Sequence, residues 1–290
     1  MSNALVPVLE VGGTHVSAAV IDPSTWQVGA TTRYSLDADA SAEVLFDRFA
    51  RAGRSLSAPA GATWGVAMPD PFDYQRGIGQ FEGVGKFTAL RGVDVGDGLR
   101  TRLRGRVAFL NDADAFVLGE WAAGAAKGSR RCVGITLGTG VGSGWLVGGV
   151  VTDPGDPPGG RLHRLSVGGQ PLEETVSRRA IRRAFAAAGG DRDADVREIA
   201  ELARAGDRTA GHVLGQAFVT LGRVLGSCLS GFRADVLVIG GSMSASWDLF
   251  EPAFRAGAEG TGLPQIRLAV NSDAAALIGA AVHAVRSRGG

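Results

Sequence analysis

Short apolar runs separated by glycine-rich turns open the chain. Leu5–Val11 ends in Gly12-Gly13-Thr14, and Val16–Ile21 follows it and closes at Asp22-Pro23. This spacing predicts strand, glycine turn, strand, and residues 27–34 supply a third strand. Residues 41–56 change period from two to between three and four, which predicts a helix with Val44, Leu45, Phe49 and Ala50 on one side. Thr63–Met68 returns to an apolar strand before Pro69-Asp70-Pro71. Residues 69–95 are rich in glycine and turn formers, long for a connection inside a compact domain, and such loops tend to carry function. Val107–Leu110 reads as a short buried strand, after which Asp112 is placed to cap a helix running to Lys127.

The second half repeats the opening pattern. Cys132–Leu137 is apolar, residues 138–144 form a glycine turn, and residues 145–151 form the returning strand. An irregular stretch over 153–169 precedes helices near 172–187, 193–204 and 207–231. Val236–Ile239 is a buried strand ending in Gly240-Gly241-Ser242. A helix over 244–258, a strand over 266–270 and an Ala-rich helix over 273–286 complete the pattern. Two strand–turn–strand units so spaced predict two related α/β halves. The boundary is set at residue 112: an N-terminal domain of 1–111 completed by 273–290, and a second domain of 112–272.

Composition narrows the class. The chain has 290 residues, 45 of them glycine, with 45 % apolar and 20 % charged residues. That is too apolar for a disordered chain, and the glycines follow no collagen period. The 30 basic and 29 acidic residues leave a net charge of +1, whereas nucleic-acid binding calls for a basic face. Only two of the basic residues are lysines, Lys86 and Lys127. Cys132 and Cys228 cannot build a disulfide framework or a four-ligand zinc site, and they read as buried, inert thiols. The first residues lack a signal-peptide pattern, and no unbroken apolar run reaches membrane-spanning length. The expectation is a cytoplasmic protein with no membrane or nucleic-acid partner.

Three strands end in Gly-rich turns: Gly12-Gly13-Thr14, Gly138-Thr139-Gly140 running on to Gly142, and Gly240-Gly241. Phosphate oxygens need close approach to backbone N–H groups, which a Cβ would block. Any left-handed turn uses glycine, so one such turn reads as structural. Three at strand ends, two of them with threonine, point to a nucleotide with several phosphates. Neither a P-loop nor a dinucleotide fingerprint is present: Gly85-Lys86-Phe87 lacks Ser or Thr after the lysine, and the first turn leads into a strand rather than a helix. Asn111-Asp112 falls where a strand gives way to a helix. The local spacing explains Asp112 as a cap, although a base acting on an alcohol would sit at the same kind of strand end. His163 lies in the irregular segment ten residues before Glu173-Glu174, an acidic pair opening a helix.

Taken in order, Glu10-Val11-Gly12-Gly13-Thr14, Asn111-Asp112-Ala113-Asp114-Ala115, Leu137-Gly138-Thr139-Gly140-Val141-Gly142, Leu172-Glu173-Glu174-Thr175-Val176-Ser177 and Gly240-Gly241-Ser242 resemble the ROK family of bacterial sugar kinases, within the actin-like ATPase superfamily. The resemblance spans about residues 5–285. It implies an α/β fold of two RNase-H-like (actin- and hexokinase-type) domains with an interdomain cleft, where ATP and a hexose meet and whose closure expels water. It further implies transfer of a phosphoryl group from Mg·ATP to the sugar 6-hydroxyl, and a homodimer.

By the same resemblance Asp112 is the general base, and Asn111, His163 and Glu173 contact the sugar. Gly12, Gly13, Thr14, Gly138, Thr139, Gly140, Gly142, Gly240 and Gly241 bind ATP, and Glu10 serves Mg²⁺. The chain departs from the family pattern in three places. Glu10 replaces an aspartate. The Gly-Glu-x-Gly-His segment appears as Gly159-Gly160-Arg161-Leu162-His163, without its sugar-contacting glutamate. Residues 165–171 hold no cysteine, so no structural zinc is expected. The missing glutamate widens the expected substrate from glucose to amino-hexoses such as glucosamine, kanosamine or N-acetylmannosamine. Two alternatives differ in class: a sugar-binding regulator, for whose DNA-binding segment the sequence before residue 10 leaves no room, and a degenerate kinase kept for binding.

Overall fold

The computed structural model describes residues 4–152 and 161–288. The chain forms two compact units, residues 1–127 with 271–290, and residues 128–270. Each has its own apolar core.

In the first unit, β1 (Val6–Val11), β2 (His15–Ile21) and β3 (Val28–Ser35) form an antiparallel run. β4 (Thr63–Met68) and β5 (Arg106–Asn111) add in parallel, giving the sheet order β3-β2-β1-β4-β5. β1 and β4 are buried almost throughout, as expected of apolar strands covered on both faces. Helix α1 (Ala42–Arg54) starts at Ser41, whose hydroxyl accepts from the Val44 N–H, and buries Leu45, Phe46, Phe49 and Ala50. Val44 is exposed instead, because the stripe centres on 45, 49 and 52 and leaves position 44 at its edge.

Residues 69–95 are not a plain loop. Phe72, Phe81, Phe87 and Leu90 are buried, and the Phe72–Phe81 and Phe81–Phe87 ring centroids lie 6.2 and 5.3 Å apart. This aromatic cluster pins the segment onto the core. Helix α2 (Val95–Leu103) follows, capped by Asp94, which accepts from the Asp97 N–H at 2.7 Å. The apolar pattern alone does not announce it, since glycines at 96 and 98 interrupt a nine-residue helix.

Helix α3 (Asp112–Ala123) packs on the C-terminal helix Ser272–Arg286. The two approach so closely that a Cβ on Gly119 would sit 1.9 Å from the Ala275 carbonyl oxygen, and one on Gly279 would sit 1.8 Å from that of Ala115. That packing moves the unit boundary from the expected 111/112 to 127/128: α3 buries Ala115–Glu120 inside the first unit.

In the second unit β6 (Arg131–Leu137), β7 (Val141–Val147) and β8 (Val150–Val151) are antiparallel, and β9 (Val236–Gly240) and β10 (Gln265–Leu268) join in parallel. The order β8-β7-β6-β9-β10 repeats that of the first sheet. The helix expected over 172–187 is broken at Ser177, which caps α4 (Arg178–Ala187) by accepting from the Ala180 N–H, after a single turn at Glu173–Val176. Helices α5 (Val196–Arg204), α6 (Arg208–Phe232) and α7 (Trp247–Gly257) complete the unit. α6 is long and apolar enough to cross a membrane by length and composition, yet Leu214, Phe218, Leu221 and Leu225 are buried within the unit's core and Arg208 and Arg223 lie exposed on its surface. It is the core helix of the unit. Both cysteines are free and buried, and burial pushes the Cys132 thiol up to about 11, as an inert thiol requires.

Candidate active site

The parallel strands of the first unit end together. Glu10 pairs with Ala67, and Met68 with Asn111, so the chain leaves β1, β4 and β5 at one edge of the sheet. In open α/β sheets this carboxyl edge is where ligands bind. Three of the predicted elements, Glu10, Gly12-Gly13-Thr14 and Asn111-Asp112, stand there.

Asn111, not Asp112, caps α3. Its backbone is extended, and its side-chain oxygen accepts from the Ala113 and Asp114 N–H groups at 3.0 and 3.3 Å. Asp112 is therefore the first helical residue, with one oxygen accepting from the Ala113 N–H at 2.8 Å. This corrects the sequence reading in which Asp112 capped the helix: the cap is Asn111, and Asp112 stands in the first turn.

Burial pushes the Asp112 carboxyl up to about 6. Lys86 opposes the shift, Asp70 adds to it, the Ala113 N–H opposes it, and Glu10 adds to it. Two further carboxylates and one ammonium thus act on Asp112. Asn111 donates through its amide nitrogen to the Tyr74 hydroxyl at 3.1 Å, and that hydroxyl donates to Asp70 Oδ1 at 2.9 Å. Burial, with Asp70 and Asp112 nearby, holds Tyr74 neutral by raising its pKa far above the usual value.

Asp70, Tyr74 and Lys86 belong to the 69–95 segment, and the sequence reading assigned them no role. Phe87, fully buried and bonded through its N–H to the Ala38 carbonyl at 2.8 Å, fixes the neighbouring Lys86. The Lys86 chain passes Gly13, where a Cβ would meet its Cδ at 4.0 Å. The one available signal was compositional: Lys86 is one of two lysines in a chain that otherwise uses arginine.

The first glycine turn is closed by a Gly12 N–H to His15 carbonyl bond of 2.8 Å, and a Cβ on Gly12 would press on the His15 ring at 2.9 Å. That ring sits 3.3 Å from Glu10 Oε2. Glu10 offers hard oxygen donors beside two further carboxylates, the chemistry that suits Mg²⁺, which takes one or two protein carboxylates and fills its shell from phosphates and water. Among the described residues no group of three or more His, Cys, Asp or Glu forms a metal cluster.

The second unit repeats the arrangement. Gly138 N–H bonds to the Gly140 carbonyl at 3.0 Å, closing the turn from β6 to β7, in which Gly142 is already part of the strand. Gly240 pairs with Thr136, which brings the Gly240-Gly241 turn to the same edge. Gly241 has φ +85°, and a Cβ there would lie 2.4 Å from the Leu137 carbonyl oxygen, so only glycine fits. Glu173 is brought against the turn: its Oε2 accepts from the Val141 N–H at 3.4 Å and lies 3.1 Å from a Cβ built on Gly140. His163 occupies a 3₁₀ turn, Leu162–Arg164, half-buried, with Nε2 accepting from Arg164 Nε at 3.2 Å. The Gly159-Gly160 part of that motif lies outside the described residues.

Two α/β units of identical strand order, each ending in a glycine turn, define the actin-like two-domain fold. Residues 7–154 and 168–286 match the ROK family model, and the chain belongs to the ROK family. It is 28 % identical to a glucokinase from Thermotoga maritima, over 84 % of each chain. Among solved structures it is similar to a ROK hexokinase from Thermus thermophilus, at 27 % identity and a TM-score of 0.80, over 99 % of this chain and 100 % of that one. A ROK-family glucokinase from Streptomyces griseus, solved with glucose and AMPPNP, shares the fold at a TM-score of 0.80, with 24 % identity over 98 % and 100 % of the two chains.

Proposed function

We propose that this chain is an ATP-dependent sugar kinase that phosphorylates the 6-hydroxyl of a hexose, either glucose or an amino-hexose, with Asp112 as general base. The observation that carries the reading is the state of Asp112. It is relieved of capping by Asn111 and held near about 6 beside two other carboxylates. A carboxylate so tuned is ionised at neutral pH yet basic enough to accept a proton from an alcohol as that alcohol becomes a nucleophile. The glucokinase and hexokinase relatives support the sugar as acceptor.

In this reading Asn111, Glu173 and His163 hold the sugar hydroxyls. Gly12, Gly13 and Thr14, with Gly138, Thr139, Gly140 and Gly142, present backbone N–H groups to the phosphates. Gly240 and Gly241 serve the nucleoside side. Lys86, whose chain passes Gly13 and whose charge acts on Asp112, offsets phosphate charge. Glu10 fits Mg²⁺, which when bound would neutralise the charge of the β- and γ-phosphates. The protein's own residues contribute alignment, charge compensation and the proton acceptor. The reading also carries a cytoplasmic, homodimeric protein.

A coupled assay of ADP release across hexoses and amino-hexoses tests this directly. Sugar-dependent release supports it; ATP binding with no turnover on any sugar of the panel overturns it in favour of a degenerate, binding-only protein.

A further inference from the structure

The first glycine turn carries a histidine that the phosphate reading leaves unused. β1 and β2 run antiparallel, with Glu10 opposite Ser17 and Val11 opposite Val16. Opposed residues share a face of the sheet and successive ones alternate, so His15, two before Ser17, returns to the face of Glu10. Glutamate reaches one methylene further than aspartate, and its Oε2 meets His15 Nε2 at 3.3 Å. The two side chains are 20 % and 24 % exposed, open enough for an ion to enter from solvent yet held on most sides.

The imidazole is also fixed from behind. A Cβ on Gly12 would stand 2.9, 3.3 and 3.4 Å from three atoms of the ring, so the bare glycine is what lets it settle over the turn. Its Nδ1 lies 3.4 Å from the Thr14 hydroxyl oxygen. A histidine that ligates a metal through one nitrogen is commonly oriented by a hydrogen bond at the other. With the Nδ1 proton donated to Thr14, Nε2 and Oε2 face each other as two lone-pair donors, an arrangement that a cation completes. Two donors bound at about 2.1 Å on adjacent corners of an octahedral ion stand about 3.0 Å apart, close to the 3.3 Å found here.

We propose that Glu10 and His15 form a mixed oxygen–nitrogen pair for a divalent cation, and that His15 turns the preference of this site from Mg²⁺ to Mn²⁺. Mg²⁺ favours shells made of oxygen alone, whereas the affinity of sites with a nitrogen ligand rises through the first transition row. The remaining positions around the ion fall to water and, on the kinase reading above, to phosphate oxygens. The ion's part in phosphoryl transfer rests on that reading; its binding to the pair does not.

Mn²⁺ itself is the probe, because its electron spin reports both occupancy and ligands. Loss of the free-ion spin-resonance signal gives the dissociation constant, and competition by Mg²⁺ gives the preference. Pulsed spin resonance reads the coupling of a bound nitrogen nucleus. Each is measured with and without ADP on the wild type, His15→Phe and His15→Gln, with circular dichroism to check the fold. The expected result is nitrogen coupling in the wild type that both variants lose. His15→Phe should weaken Mn²⁺ by roughly 10–100-fold and Mg²⁺ less. His15→Gln, which offers an amide oxygen instead, should keep Mg²⁺ and lose the preference for Mn²⁺. Bound Mn²⁺ without nitrogen coupling overturns the proposal, as do a wild type that binds no Mn²⁺ and a Mn²⁺-to-Mg²⁺ ratio that both variants leave unchanged. Nitrogen coupling in a protein that turns over no sugar leaves the pair standing and removes the kinase reading; turnover without the coupling does the reverse.

Discussion

The side-chain amide of Asn111 donates to the hydroxyl of Tyr74 at 3.1 Å while its carbonyl oxygen caps α3. One residue thereby ties the start of the helix that carries Asp112 to the segment that carries Asp70 and Lys86. The Tyr74 hydroxyl is the joint. Replacing Tyr74 by Phe removes an acceptor for Asn111 and a donor to Asp70, at a cost of about 1 kcal/mol in stability. The expected kinetic signature is a raised KM for the sugar with kcat changed less, since Asn111 loses its orientation while Asp112 stays in place. Thermal unfolding and initial-rate kinetics read both.

The pH dependence follows from Asp112. Its carboxyl titrates near about 6, above the ordinary value of 3.8, so the base is protonated and idle below that pH. The rate constant kcat/KM should rise with pH through about 6 and level off above it. Folding responds in the opposite sense. A carboxyl raised in the folded state favours the fold while protonated, and that contribution is lost as pH rises from the unfolded value to about 6.

Two neighbours set where the acid limb falls. Lys86 holds the Asp112 carboxyl down, so Lys86→Met should move the limb to higher pH. Asp70 pushes it up, so Asp70→Asn should move the limb to lower pH. Opposite displacements in the two variants are the expected result. Displacement in one direction for both would remove electrostatics as the cause.

The docking of the C-terminal helix makes a stability prediction. A methyl group on Gly279 would lie 1.8 Å from the Ala115 carbonyl oxygen, a backbone atom that cannot swing aside. Gly279→Ala should therefore destabilise the first unit by about 1–3 kcal/mol, typical of overpacking. Differential scanning calorimetry reads the loss as a lower melting temperature.

Much of this was legible in the sequence. The three glycine turns needed only their position at strand ends, and the repeated strand–turn–strand pattern foreshadowed two sheets of one topology. What escaped was set by tertiary contact. Asp70, Tyr74 and Lys86 gain meaning only because Phe72, Phe81 and Phe87 fold their segment against the core, and no local spacing records that. Helix α2 was hidden by Gly96 and Gly98. The break at Ser177 was hidden because a buried serine cap looks, in sequence, like any polar position within a helix. The unit boundary moved because α3 buries both of its sides, leaving no amphipathic stripe to show which neighbour it joins.

The central claim is that the carboxylate of Asp112 takes the proton of a sugar hydroxyl. Sugar-dependent ADP release by Asp112→Asn measures it most directly, with circular dichroism to check the fold and calorimetry to check ATP binding. The account predicts a kcat lower by roughly 10²–10⁴-fold with fold and ATP affinity retained. Turnover at the wild-type rate in that variant would contradict it.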